Sequence, residues 1–227
     1  MDDGARMARG YVRIVAGAGF AVALLAVCYQ VLWRYRCQNW GATPDEVALS
    51  LPGDELMPDA DVVTTRVIAV RAPPEVVWPW IVQMGSGRAG AYTYDWLENL
   101  FGLDMHSADV ILPQFQDVAA GQEFPLASGC GVMRVEGVDP ERAYVLRFPE
   151  ARLVWIFALR PEGNVTRLVS RNRIRTPVRS AAGRLGYALI MEPGSLIRER
   201  KMLLGIRERA ERLASDRQQV SWPRAVS

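Results

Sequence analysis

The residues best suited to chemistry lie in one stretch of the chain. Tyr92, Tyr94 and Asp95 stand close together, and the single histidine, His106, follows in the run Asp104-Met105-His106-Ser107-Ala108-Asp109. A histidine flanked by carboxylates can serve as a general base, since a nearby negative charge raises its pKa toward neutrality. A tyrosine hydroxyl or Asp95 could supply the complementary acid. The same residue types also cap turns and pack cores, and no nucleophile motif accompanies them. The chain has no G-x-S-x-G, C-x-x-C or H-E-x-x-H. One histidine and three scattered cysteines, Cys28, Cys37 and Cys130, do not provide a ligand set for a metal.

Just upstream, Gly85-Ser86-Gly87-Arg88-Ala89-Gly90 matches G-x-G-x-x-G. A dinucleotide site needs that turn between a strand and a helix, so that backbone amides meet the pyrophosphate. Here the turn follows an amphipathic helical pattern, so it reads as a loop beside a cavity, and no cofactor is expected. A net charge of +2 over 227 residues gives no electrostatic footprint for nucleic acid.

The elements that position these residues can be read along the chain. Ile14 to Trp33 is an apolar run flanked by Arg6, Arg9 and Arg13 on one side and Arg34 and Arg36 on the other. A run of about 20 apolar residues predicts a transmembrane helix. Residues 1–36 thus read as a tail and a single-pass anchor of a plasma membrane, with a cleaved signal peptide as the competing reading, and the excess of arginines before the apolar run predicts that the rest of the chain lies on the outer side. Residues 37–61 read as an acidic lead-in, with Thr43 and Pro44 opening a short helix. A domain is expected over residues 62–214, with a polar tail at 215–227. It starts with a strand at 62–71, followed by a helix from Pro74 to about Met84 whose Val77, Trp80, Ile81 and Met84 form one stripe. A short helix follows near 94–101. Strands are expected near 123–127, 132–138, 143–148, 153–160 and 166–175, separated by turns, which is the pattern of an antiparallel meander. A long amphipathic helix over 195–214 closes the domain, with Leu196, Leu203, Ile206, Ala210 and Leu213 on its apolar side.

This order is that of an α+β domain. The run APPEVVWPWIVQMGSGRAGAYTYDWLENLFGLDMHSAD, the lead-in WGATPDEVALSLPGDEL and the closing ERKMLLGIRERAE resemble bacterial members of the START/polyketide-cyclase/Bet v 1-like (SRPBCC) superfamily, over about residues 38–214. The resemblance implies a helix-grip fold, an antiparallel sheet wrapped around a long C-terminal helix. It also implies an apolar cavity between the two. Members bind lipids, sterols or polyketides, and some are cyclases or dehydratases. On that basis the expected ligand is a hydrophobic small molecule, with Trp80, Tyr92, Tyr94, Trp96, Met133 and Trp155 as lining residues. An alternative is a cyclase or dehydratase that uses Tyr94, Asp95 or His106 as acid or base. A further alternative is a protein-interaction module. Arg167, Arg171, Arg173 and Arg175 share one face of the last strand, and Arg179 and Arg184 follow. They read either as a solvated face or as a patch for anionic lipid headgroups.

Overall fold

The computed structural model describes residues 3–100, 102, 105–125, 131–150 and 152–221. Asp104 and Cys130, named in the sequence reading, and Phe101, at the end of the helix expected near 94–101, lie outside the described residues. The chain divides into two compact units, residues 1–37 and 38–227.

In the first unit, helix α1 runs Asp3–Cys28, gives way to a π turn at Tyr29–Trp33, and resumes as α2, Arg34–Gln38. The expected transmembrane helix is not found. Among the described residues no helix is long and apolar enough to cross a membrane.

The second unit opens with α3, Pro44–Ala48. Thr43 accepts a hydrogen bond from the Glu46 amide, and the Glu46 carboxylate accepts from the Thr43 amide, closing a capping box. Strand β1 (Val62–Val70) leads into α4 (Pro74–Val82), and α5 spans Asp95–Leu100. Then come β2 (Glu123–Pro125), β3 (Val132–Asp139), β4 (Ala143–Phe148), β5 (Leu153–Glu162) and β6 (Val165–Ile174). The short α6 (Ala181–Gly186) continues through a π turn at Tyr187–Met191 into α7, Glu192–Ser221. Thus α7 extends past the 214 expected from its apolar spacing.

The six strands form one antiparallel sheet in the order β1-β6-β5-β4-β3-β2. A meander from β2 to β6 with β1 added at the far edge places α7 across one face. Alternation along the strands then makes two cores. On the gripped face, Leu146, Phe157 and Leu168 pack with Val77 and Ile81 of α4 and with Met202, Leu203 and Ile206 of α7. On the other face, Val67, Val145, Ile156 and Val169 pack under Leu51 and Met57 of residues 38–61. Both faces of the central strands are therefore covered.

The arginines of β6 belong to this second face. Arg171, 2% exposed, donates to the carbonyls of Glu46, Val47 and Leu49 and pairs with Asp54 at 2.7 Å. Arg167 pairs with Glu46 at 2.7 Å, and Arg173 with Asp54 at 3.1 Å. These three are therefore neither a solvated face nor a headgroup patch, because the acidic lead-in folds down and takes up their charge. Burial pushes the Glu46 carboxyl up, but hydrogen bonds from Arg167 and the Thr43 amide outweigh it and hold the group below its ordinary value.

Candidate functional site

Between the sheet and α7 lies a cavity of about 230 Å³. Each wall comes from a different element. Ile81 and Met84 stand at the end of α4, Met133 on β3, Leu146 and Phe148 on β4, and Leu153 and Trp155 on β5. Met202 closes it from α7, and Met105 from the loop after α5. Four methionines therefore line a space whose walls are otherwise mostly aliphatic and aromatic carbon. Methionine's unbranched, polarisable side chain adapts to irregular apolar shapes.

Polar groups enter mainly from α7, where Arg198 and Glu199 both border the cavity. Glu199 is 5% exposed and sits against Arg66 of β1, which is 0% exposed. The carboxylate also accepts from Ser170 Oγ at 2.6 Å and from Asn172 Nδ2 at 3.0 and 3.2 Å. Ser170 in turn accepts the Trp155 indole N–H at 2.8 Å, so the lining tryptophan is oriented by the same network. Each carboxylate oxygen already carries two donors. Glu199 thus ties the helix to the sheet and gives the cavity one fixed polar end.

The glycine-rich loop after α4 borders the cavity through Gly85 and Ser86. Gly85 and Gly90 exchange backbone hydrogen bonds of 2.9 and 3.1 Å, both with positive φ, and Arg88 between them lies over the rings of Phe115 and Phe124. The cation–π contacts fix a loop that a nucleotide phosphate would need to find at a helix start.

The structure disperses the residues singled out in the sequence. Of the six expected lining residues, Met133 and Trp155 border the cavity. Trp80 and Tyr92 are buried in the adjoining core, edge to face at 6.1 Å. The Tyr92 hydroxyl accepts from Gln83 at 2.8 Å, and burial pushes its pKa well up. Tyr94 lies at the surface, and Trp96 is 71% exposed. Asp95 accepts from the amide and hydroxyl of Ser107 at 2.7 and 2.6 Å, and Asn99 clamps the backbone of Met105. These bonds hold the loop that delivers Met105 to the cavity. His106 itself is exposed. Tyr94, Asp95 and His106 are not among the residues that border the cavity.

Glu199 and Arg66 were missed, though each had a signal. Arg66 interrupts a strand of β-branched residues, and Glu199 precedes Met202, Leu203 and Ile206 by three, four and seven positions. That spacing places a carboxylate on the apolar stripe of α7.

No family model matches this chain, and no curated protein matches it. Among solved structures, DynU16 of the dynemicin biosynthetic locus aligns with a TM-score of 0.36 and 17% identity over 62% of this chain and 45% of that one. This chain therefore spans less than half the length of DynU16. TTHA0849 from Thermus thermophilus aligns with a TM-score of 0.38 and 17% identity, over 67% of this chain and 99% of that one. Ara h 8.0201 aligns with a TM-score of 0.39 and 11% identity over 68% and 97%. The functional reading rests on the cavity itself.

Proposed function

We propose that the protein binds a hydrophobic small molecule in the cavity between the sheet and α7. The observation that carries this reading is the cavity of about 230 Å³, walled predominantly by aliphatic, aromatic and methionine side chains. A close-packed domain keeps few voids larger than a water molecule, and an apolar cavity of about 150 Å³ suffices to hold benzene. The space here suits a flat molecule of about two rings, or a short acyl chain, with any polar group directed to the end formed by Arg198 and Glu199. The exposed apolar side chains of α1, among them Phe20, Leu24 and Leu25, support a second part of the reading, in which that helix adheres to a membrane without spanning it.

The methionines supply the test. Protein carrying ¹³C-methyl methionine is titrated with naphthalene and its methyl resonances followed. The signals of Met84, Met105, Met133 and Met202 are expected to move, while Met57, under the opposite sheet face, and Met191 stay in place. Unmoved cavity methyls, or equal shifts at all positions, would show that the cavity does not receive apolar ligands.

A further inference from the structure

A second surface, separate from the cavity lining, has the composition of a membrane-docking site. At one end of the sheet, Arg152, Arg175, Arg179 and Arg184 surround a hollow of about 680 Å³ with Asp59, Asp61, Thr176 and Val178. The acids there are already engaged. Asp59 lies 3.7 Å from Arg175, and Asp61 accepts from the Thr176 amide at 2.8 Å. Arg152, Arg179 and Arg184 form no ion pair among the described residues. The hollow is thus a cluster of four guanidinium groups facing two carboxylates, with too little local counter-charge. The Arg175 amide donates to the Arg152 carbonyl at 3.0 Å, and Arg152 holds a left-handed backbone conformation with φ 50°.

The segment that carries Arg184 continues directly into an exposed apolar face. Along α6 and the π turn, Ala188 is buried, while Leu185, Leu189, Ile190 and Met191 point outward, Ile190 with 72% of its surface exposed. A soluble surface seldom gathers four such side chains on one short segment. Large apolar side chains beside arginines that lack partners make up the interfacial pattern, with carbon for the acyl boundary and guanidinium for anionic headgroups. A protein partner could cover the apolar part, but the surplus of positive charge selects an extended anionic surface.

We propose that α6 and the π turn lie on an anionic bilayer, with Arg152, Arg175, Arg179 and Arg184 holding lipid phosphates. The placement has a topological side. Leu153 borders the cavity and Arg152, its neighbour, borders the hollow, while Ile174 pairs with Leu153 and precedes Arg175. The docking surface and the cavity therefore share one end of β5 and β6. The inference does not depend on the cavity being occupied.

The test uses the full chain with phosphatidylcholine vesicles, with and without phosphatidylglycerol. Each arginine near an anionic surface contributes about fivefold to partitioning. The triple variant Arg152→Gln/Arg179→Gln/Arg184→Gln is therefore expected to lose the preference for phosphatidylglycerol by on the order of a hundredfold. A charge-matched control, Arg134→Gln/Arg142→Gln/Arg160→Gln, should keep most of it. Hydrogen exchange separates this surface from adhesion by α1, because residues 179–191 should gain protection on phosphatidylglycerol vesicles. Equal losses in both triple variants, no protection at 179–191, or no preference for anionic vesicles in the parent protein would each overturn the proposal.

Discussion

Removing the Glu199 side chain is expected to do as much damage as truncating one of the large apolar residues of the surrounding wall. In Glu199→Ala, the Arg66 guanidinium keeps its 3.0 Å bond to Ser195 but loses the Glu199 carboxylate at a position with 0% exposure. Ser170 and Asn172 lose their shared acceptor at the same time. Breaking a buried pair from one side costs about 3–5 kcal/mol. For a chain of this size that corresponds to a fall in Tm of about 6–20 °C. Taking out both charges is a different perturbation. In Arg66→Met/Glu199→Leu neither charge of the pair remains, and Asn172 keeps Thr64 Oγ1 at 3.3 Å, so a loss of about 1–3 kcal/mol is expected. The double variant should therefore be more stable than Glu199→Ala. Urea unfolding followed by near-ultraviolet circular dichroism measures both, and an unchanged m-value shows that the transition itself is the same. Two results would refute the reasoning. One is Glu199→Ala within about 0.5 kcal/mol of the parent. The other is a double variant destabilised by the full sum of its two single changes, which would mean that the charges are not coupled.

Other expectations concern the opposite face and the buried phenols. Arg171→Ala should cost about 3–5 kcal/mol and free residues 43–58 from the sheet, because one guanidinium holds Glu46, Val47, Leu49 and Asp54. Limited proteolysis should then cut first within that segment, and cleavage elsewhere would count against the account. In alkali, burial holds the Tyr144 hydroxyl neutral and pushes its pKa up to about 12, with Arg88 opposing; Tyr92 is raised as well. Their stabilisation is complete below the unfolded-state value of 10 and is lost as pH rises toward the folded-state values, at about 1.4 kcal/mol per pH unit for each tyrosine. Burial raises Tyr187 too; urea midpoints between pH 9 and 11 should bend downward near 10, and Tyr144→Phe should make that slope shallower. An equal slope in that variant would remove Tyr144 from the account.

Much of the architecture was legible from periodicity. The β-branched run at Val62, the turns spaced along the meander and the apolar stripe at Leu203, Ile206 and Ala210 give the sheet and the helix that grips it, because each alternation or stripe must be buried somewhere. The site was less legible. Tyr94 and Trp96 have the right chemistry for a cavity wall but point to solvent, since the side of α5 that faces inward is chosen by Glu98, which bonds Thr93 at 2.5 Å. The arginines of β6 looked solvent-facing because strand alternation tells which face a residue shares and not what covers it. Only the fold shows that acids more than a hundred residues earlier meet them.

The cover over the second face of the sheet has a consequence for how the molecule can be divided. Residues 38–61 also guard the rim of β1, where the Trp40 carbonyl takes the Val67 amide and Gly41 sits so close that a β-carbon there would collide with the Val67 oxygen. A chain shortened to begin at Val62 would not be a smaller copy of the domain. It would present a bare hydrophobic sheet face, three uncompensated arginines and an open strand edge ready to pair with its like. Self-association is the expected fate of such a fragment, so a stable truncation should retain Gln38 onward.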